Sequence, residues 1–190
     1  MDSNQLSRIC KNDVLINRIF RGIFSIDNIP IIEPDTAYII NLSKQNEYGS
    51  HWTVLFSSKD KKIIYFLCSL NTNPKKYSHL YSIILKTGYK LWQIGRQIQS
   101  DFSTACGPYS LFFLWLISHS YTPPEIANQF FTHHAISELF KNDILVSIII
   151  STLFHLESAS KLLMDVTFLE EQKMNDEERR KKNSKKNSKS

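Results

Sequence analysis

The chain has 190 residues, 42% of them hydrophobic and 22% charged, which suits one globular domain with a sizeable core and leaves too little length for two. The formal net charge of +5 is unevenly spread: residues 179–190 hold seven basic groups and no acidic one, and taking those seven from the 23 Lys and Arg leaves 16 against 18 acidic residues, a balance of −2 over residues 1–178. The longest apolar runs, 111–117 and 144–150, are far below the roughly 20 residues a membrane span needs, and MDSNQLSRICKND lacks the apolar core of a signal peptide, so a soluble protein inside a cell or packaged in a particle is expected.

In chain order, Leu6, Ile9, Ile16, Ile19 and Phe20 fall at helical spacing and predict a helix over 4–20, with Asp13 interrupting the apolar stripe. GIFSIDNIP reads as a turn-rich segment ending in proline. Residues 36–42 (TAYIINL) and 52–57 (WTVLFS) read as strands, with NEYGS as the loop that delivers His51 to the second. SSKDKK is a hairpin connection into a third strand over 63–67, and NTNPKK is a turn. A helix is expected over 77–87, stopped at Gly88, then a strand over 89–98 and a polar loop over 99–105. From Cys106 to His119 the chain is apolar enough for a buried helix, ended by Thr122, Pro123 and Pro124; the two prolines open a further helix to about Phe131. Residues 137–156 read as another helix, and 157–178 continue in helical character. Helix, strands, then helices is an α+β layout with a mixed or antiparallel sheet flanked by helices.

The three cysteines, Cys10, Cys68 and Cys106, are far apart, with no CxxC pair and no His/Cys cluster of zinc-binding spacing, which fits a reducing compartment. Cys106 would open the buried helix, where the positive end of the helix dipole favours a thiolate, and the thiolate is the attacking form in acyl transfer. Gly107 removes a side chain where a substrate backbone would approach, Pro108 suits a first helical turn, and backbone N–H groups there could hold an oxyanion. The plainer reading of Cys106 is a small buried hydrophobe. His51 stands immediately before a strand and is either a general base or a structural histidine. His119 ends a helix and reads as a cap, and His133 and His134 are adjacent in sequence and cannot share one face as a metal pair. Gln99, seven residues before Cys106, offers amide donors for an oxyanion and gains meaning only from that pattern.

Gly-Ser-His-Trp at 49–52, Tyr-Phe-Leu-Cys-Ser-Leu at 65–70 and QSDFSTACG at 99–107 together resemble the adenovirus-type cysteine proteases, including the maturation proteases of polinton-like elements and virophages. RGIFSIDNIP at 21–30 and YIIN at 38–41 are similar to further segments of that family, so the likeness covers about residues 15–118. It implies a protease domain over 1–178 with a papain-like, ubiquitin-like-protease fold. By the same carry-over His51 is the base, Cys106 the nucleophile, Gln99 with the Cys106 backbone the oxyanion hole, and Trp52 the aromatic neighbour of the base. The implied activity is cleavage of virion precursor proteins, such as a major capsid protein, during capsid maturation. One position departs from the family: where it carries Asp, Glu or Asn after the strand that follows His, this chain has Cys68, seventeen residues beyond His51. A thiol does not supply a carboxylate's charge, so Cys68 as a weak hydrogen-bond partner, Asn71 or Asn73 after a local shift, or loss of activity are the readings that stand.

No metal or organic cofactor is implied; the resemblance leaves DNA or a peptide as candidate activators. Residues 179–190 have no apolar side chain to bury and read as a disordered basic tail. That tail is either a solvated terminus or a non-specific DNA contact through Arg179, Arg180, Lys181, Lys182, Lys185 and Lys186. Two other functions fit the same residues: an isopeptidase acting on ubiquitin-like conjugates, and a catalytically inactive DNA-binding virion scaffold. The expected location is the virion and the host-cell interior.

Overall fold

The structure, a computed structural model, describes residues 1–130 and 136–154. The helical character expected over 157–178, the basic tail, and His133, His134 and His155 lie outside the described residues.

The predicted helix over 4–20 is two helices and the start of a strand. α1 spans Ser3–Asn12 and α2 spans Val14–Ile19. Asp2 opens α1 with a capping box, accepting from Gln5 N while the Gln5 side chain accepts from Asp2 N. Asp13, which only interrupts the apolar stripe in the sequence, is the N-cap of α2: its carboxylate accepts from Leu15 N at 3.0 Å and Ile16 N at 2.8 Å. A polar residue inside an apolar helical pattern is here the break between two helices, and Leu6, Ile9, Cys10 and Ile16 on either side of it all reach the core.

The segment read as turn-rich contains strand β1, Phe20–Ser25, and only the residues after it form the turn. Its missed pairing is parallel, to β2 at Ala37–Asn41, and a parallel partner leaves no local hairpin signal. β3 (Trp52–Ser58) and β4 (Ile63–Leu67) follow as antiparallel neighbours of β2, and β5 (Lys90–Gln93) pairs parallel to β4. The sheet is therefore mixed, in the order β1-β2-β3-β4-β5. β5 is shorter than the expected 89–98, because Gly95 adopts a left-handed φ of 75° and turns the chain out of the sheet.

Helices lie on both faces of this sheet. Ile39, Val54, Tyr65 and Leu67 point to one side and pack with α1, α2 and α4 (Cys106–Ser118). Tyr38, Ile40, Leu55, Ile64 and Phe66 point to the other and pack with α3 (Ser78–Lys86) through Leu80 and Ile84. Burial on both faces explains why the central strands read as continuous apolar runs. α4 is apolar around its whole circumference and buries Leu111, Phe112, Phe113, Leu114, Leu116 and Ile117 between the sheet and α6 (Ile136–Leu153). α5, Pro123–Phe130, begins at the two prolines as expected. No helix among the described residues is long and apolar enough to cross a membrane.

Replacing Asp13 by Ala should destabilise the fold by about 1 kcal/mol, since two N–H groups of α2 lose their acceptor. Urea unfolding followed by circular dichroism checks this; an unchanged midpoint would mean that the cap contributes nothing.

Candidate functional site

Three separated segments line one cavity of ≈ 790 Å³: the entrance to β3, with His51 and Trp52; the loop 99–104, with Gln99; and the first residue of α4, Cys106. Met1–Ser3 and β1 residues Ile23–Ser25 supply much of the remaining wall. The three residues singled out from sequence therefore share a cavity although 55 residues separate the first from the last.

His51 is placed by the β2–β3 ladder. Leu42 N donates to His51 O at 3.0 Å, extending the antiparallel pairing one step beyond Asn41 and Trp52. Asn41 gathers the connecting loop: its Oδ1 accepts from Ser43 N at 2.9 Å and Ser50 N at 3.3 Å. The loop passes so close that a Cβ on Gly49 would lie 2.8 Å from Asn41 Nδ2, which is why glycine sits two residues before the histidine. His51 itself is only 7% exposed, and burial drives its imidazole from the ordinary value near 6.5 down to about 4.

Nε2 of His51 lies 3.4 Å from Sγ of Cys68, at the end of β4. Cys68 thus occupies the place where the resemblance leads one to expect Asp, Glu or Asn. Burial raises its thiol pKa; the N–H groups of Thr72, Leu70 and Asn71 pull the other way without reversing the shift. Thr72 N donates to the sulfur at 3.3 Å. Cys68 is therefore a weak hydrogen-bond partner for Nε2 that brings no charge to stabilise imidazolium. Asn71 and Asn73 do not take this role. Asn71 is exposed with a left-handed φ of 54°, and the Asn73 side chain caps a 3₁₀ turn by accepting from Lys75 N at 3.0 Å.

Gln99 is buried and held at both ends of its amide. Oε1 accepts from Ser69 Oγ at 2.6 Å, and Nε2 donates to Ser103 O at 2.8 Å, leaving its second N–H for another acceptor. Ser69 O also accepts from Ile98 N at 2.8 Å and Gln99 N at 3.1 Å, so the end of β4 holds both Cys68, the neighbour of His51, and the glutamine. Sequence reading passes over Ser69 and Asn41 because their roles are contacts made only once the chain is folded, Ser69 with Gln99 and Asn41 with the loop to His51, which carry no spacing signal.

Cys106 is partly exposed, unlike the buried Cys10 and Cys68. No side chain caps α4 at Ala105, so the first-turn N–H groups are not satisfied from within the helix's own cap. Gly107 differs from expectation: it is buried, and a Cβ there would meet the Met1 side chain at 3.0 Å, so its bareness admits Met1 rather than open groove. Trp52 meets the same segment, its Nε1 donating to Met1 O at 3.2 Å. His119 lies at the far end of α4, with Nδ1 2.8 Å from Trp115 O, as a helix-terminal residue. Among the described residues no cluster of three or more His, Cys, Asp and Glu side chains could hold a metal ion.

No protein-family model matches the sequence, and no curated protein does. Among solved structures the chain is similar to the ASFV pS273R protease, at 18% identity over 57% of this chain and 41% of that one, with a TM-score of 0.40. A selenomethionine form of the same protease gives 18% identity, 56% and 42% coverage, and 0.36. The SUMO protease Ulp1 with its catalytic cysteine oxidised to a sulfinic acid gives 14% identity, 60% and 53% coverage, and 0.34. The chain spans about two fifths to one half of the length of these structures.

With His51 neutral in the fold down to about pH 4 and protonating near 6.5 once unfolded, the unfolded chain binds the extra proton between those values, so stability falls as pH drops through that window. NMR titration of the His51 ring should give a pKa near 4, and Cys68→Asp should raise it, because a carboxylate beside Nε2 favours imidazolium. A His51 pKa unmoved by that substitution would show that the side chain at 68 does not face the ring.

Proposed function

We propose that this chain is a cysteine peptidase in which Cys106 is the nucleophile, His51 the base and Gln99, with the Cys106 backbone N–H, the oxyanion hole. The observation that carries the reading is the convergence of these three side chains on one cavity, with His51 tethered through Nε2 to Cys68 and a partly exposed Cys106 at the start of a buried helix. The element order, with the base on a strand of a mixed sheet and the thiol opening the helix packed against it, supports the papain-like arrangement that the sequence likeness implies.

In this reading the Cys106 thiol gives its proton to Nδ1 of His51 as sulfur attacks the scissile carbonyl carbon. The oxyanion takes the remaining Nε2–H of Gln99 and a backbone N–H from the start of α4. Collapse expels the amine, which leaves with the proton from His51. A water then gives a proton to His51 and attacks the thioester, releasing the carboxylic acid and restoring the thiol. Burial disfavours imidazolium at His51, so the ring is neutral at rest and ready to accept a proton.

The substrates in this reading are virion precursor polypeptides, carried over from the resemblance of the segments at 21–30, 38–52 and 99–107 to the viral maturation proteases. The basic tail from Arg179 to Lys186 would add a DNA contact that weakens as salt rises.

Trace iodoacetamide at neutral pH, with mass spectrometry to locate the label, should mark Cys106 ahead of Cys10 and Cys68, and His51→Ala should slow that labelling. Gln99→Ala should lower turnover of a reactive precursor peptide by about 10²–10³-fold. A Cys106 no faster than an ordinary thiol, with or without DNA, would remove the catalytic reading.

A further inference from the structure

The loop that carries Gln99 to Cys106 is held from behind by a carboxyl group outside the cavity. Asp143, on α6, is 1% exposed and does not line the site. Its Oδ2 accepts from Ser100 N at 3.1 Å, the residue directly after Gln99. Its Oδ1 lies 3.1 Å from Tyr109 Oη, one turn into α4 beyond Cys106. The Ser103 side chain bonds it as well, and Ser103 is the residue whose carbonyl accepts from Gln99 Nε2 and whose Oγ accepts from Ala105 N at 3.1 Å. Tyr109 Oη in turn donates to Ile98 O at 2.8 Å, and Asn142 Nδ2 reaches the same carbonyl at 3.4 Å. Asp143 thus ties the loop after Gln99 to the first turn of α4, and Tyr109 carries the connection on to Ile98, directly before Gln99.

A carboxyl group buried among the apolar residues of α6 is costly unless its bonds are satisfied. At Asp143 they are satisfied, and every partner belongs to the Gln99–Cys106 loop or to the first turn of α4. We infer that Asp143 is a positioning residue that holds the 98–105 loop in register, so that the Gln99 amide and the first N–H of α4 point at one oxyanion; the inference rests on the cysteine-peptidase reading above. Burial pushes the Asp143 carboxyl up to about 7, so a neutral, amide-like group can serve at this position. Asparagine keeps the shape and can accept from Ser100 N while donating toward Tyr109 Oη.

The test compares two reactions of the same thiol. Alkylation by iodoacetamide needs the Cys106 sulfur but forms no oxyanion; acylation by p-nitrophenyl acetate needs both. Asp143→Ala should slow acylation of Cys106 by roughly 10–100-fold, a loss typical of misplaced catalytic groups, while alkylation stays close to wild type. Asp143→Asn should restore acylation. Tyr109→Phe, which deletes one bond of the clamp and keeps the ring in the core, should show the same split in smaller measure and carries the test if the alanine variant does not fold. Equal slowing of both reactions, or of neither, in a folded variant would overturn the positioning role while leaving the peptidase reading intact. A wild-type Cys106 inert to both reagents would overturn the peptidase reading and this inference with it.

Discussion

α4 has no polar face to offer water, and most of its length is enclosed by the sheet, α2 and α6. That enclosure determines where its N-terminus emerges. A helix anchored by Leu111, Phe112, Phe113 and Leu114 cannot slide or rotate without opening voids in a close-packed core, so the first residue, Cys106, is held at the cavity by packing that lies about one to two turns away. The strand face that receives α4 belongs to β3, and His51 stands directly before β3. The placement of Cys106 relative to His51 is thereby tied to the packing of a helix on a sheet.

Polar contacts then refine what packing sets. The end of β4 serves two purposes within two residues: Cys68 meets Nε2 of His51, and Ser69 holds Gln99 by side chain and backbone. A thiol in place of a carboxylate changes the electrostatics more than the geometry. It keeps the imidazole oriented through a weak acceptor, yet leaves the ring buried without a counter-charge, which is the physical cause of its lowered basicity.

Much of this was legible in the chain itself. The apolar runs at 36–42, 52–57, 63–67 and from Cys106 onward reported the central strands and α4, because elements buried on two faces or all round must be apolar whatever their neighbours are. Pro123 and Pro124 marked the start of α5, and Gly88 the turn after α3, for backbone reasons that act locally. The likeness of the segments around His51, Gln99 and Cys106 to a viral protease family drew attention to three residues that the fold does bring to one cavity. What escaped reading was non-local. β1 was hidden because its partner, β2, is parallel and lies beyond a long connection, and the two roles of Asp13, ending one helix and capping the next, become distinct only in the folded chain.

The sequence by itself determined which stretches must be buried, where the backbone must turn, and which side chains have the chemistry for acyl transfer, since these depend on local composition and intrinsic reactivity. Tertiary structure alone decided the rest. It chose Cys68 over Asn71 as the partner of His51, brought Met1 rather than open groove against Gly107, and placed Asp143 behind the Gln99 loop. Each of those outcomes is a contact between residues far apart in the chain, selected by the register of packed strands and helices, and no pattern of neighbouring residues encodes that register.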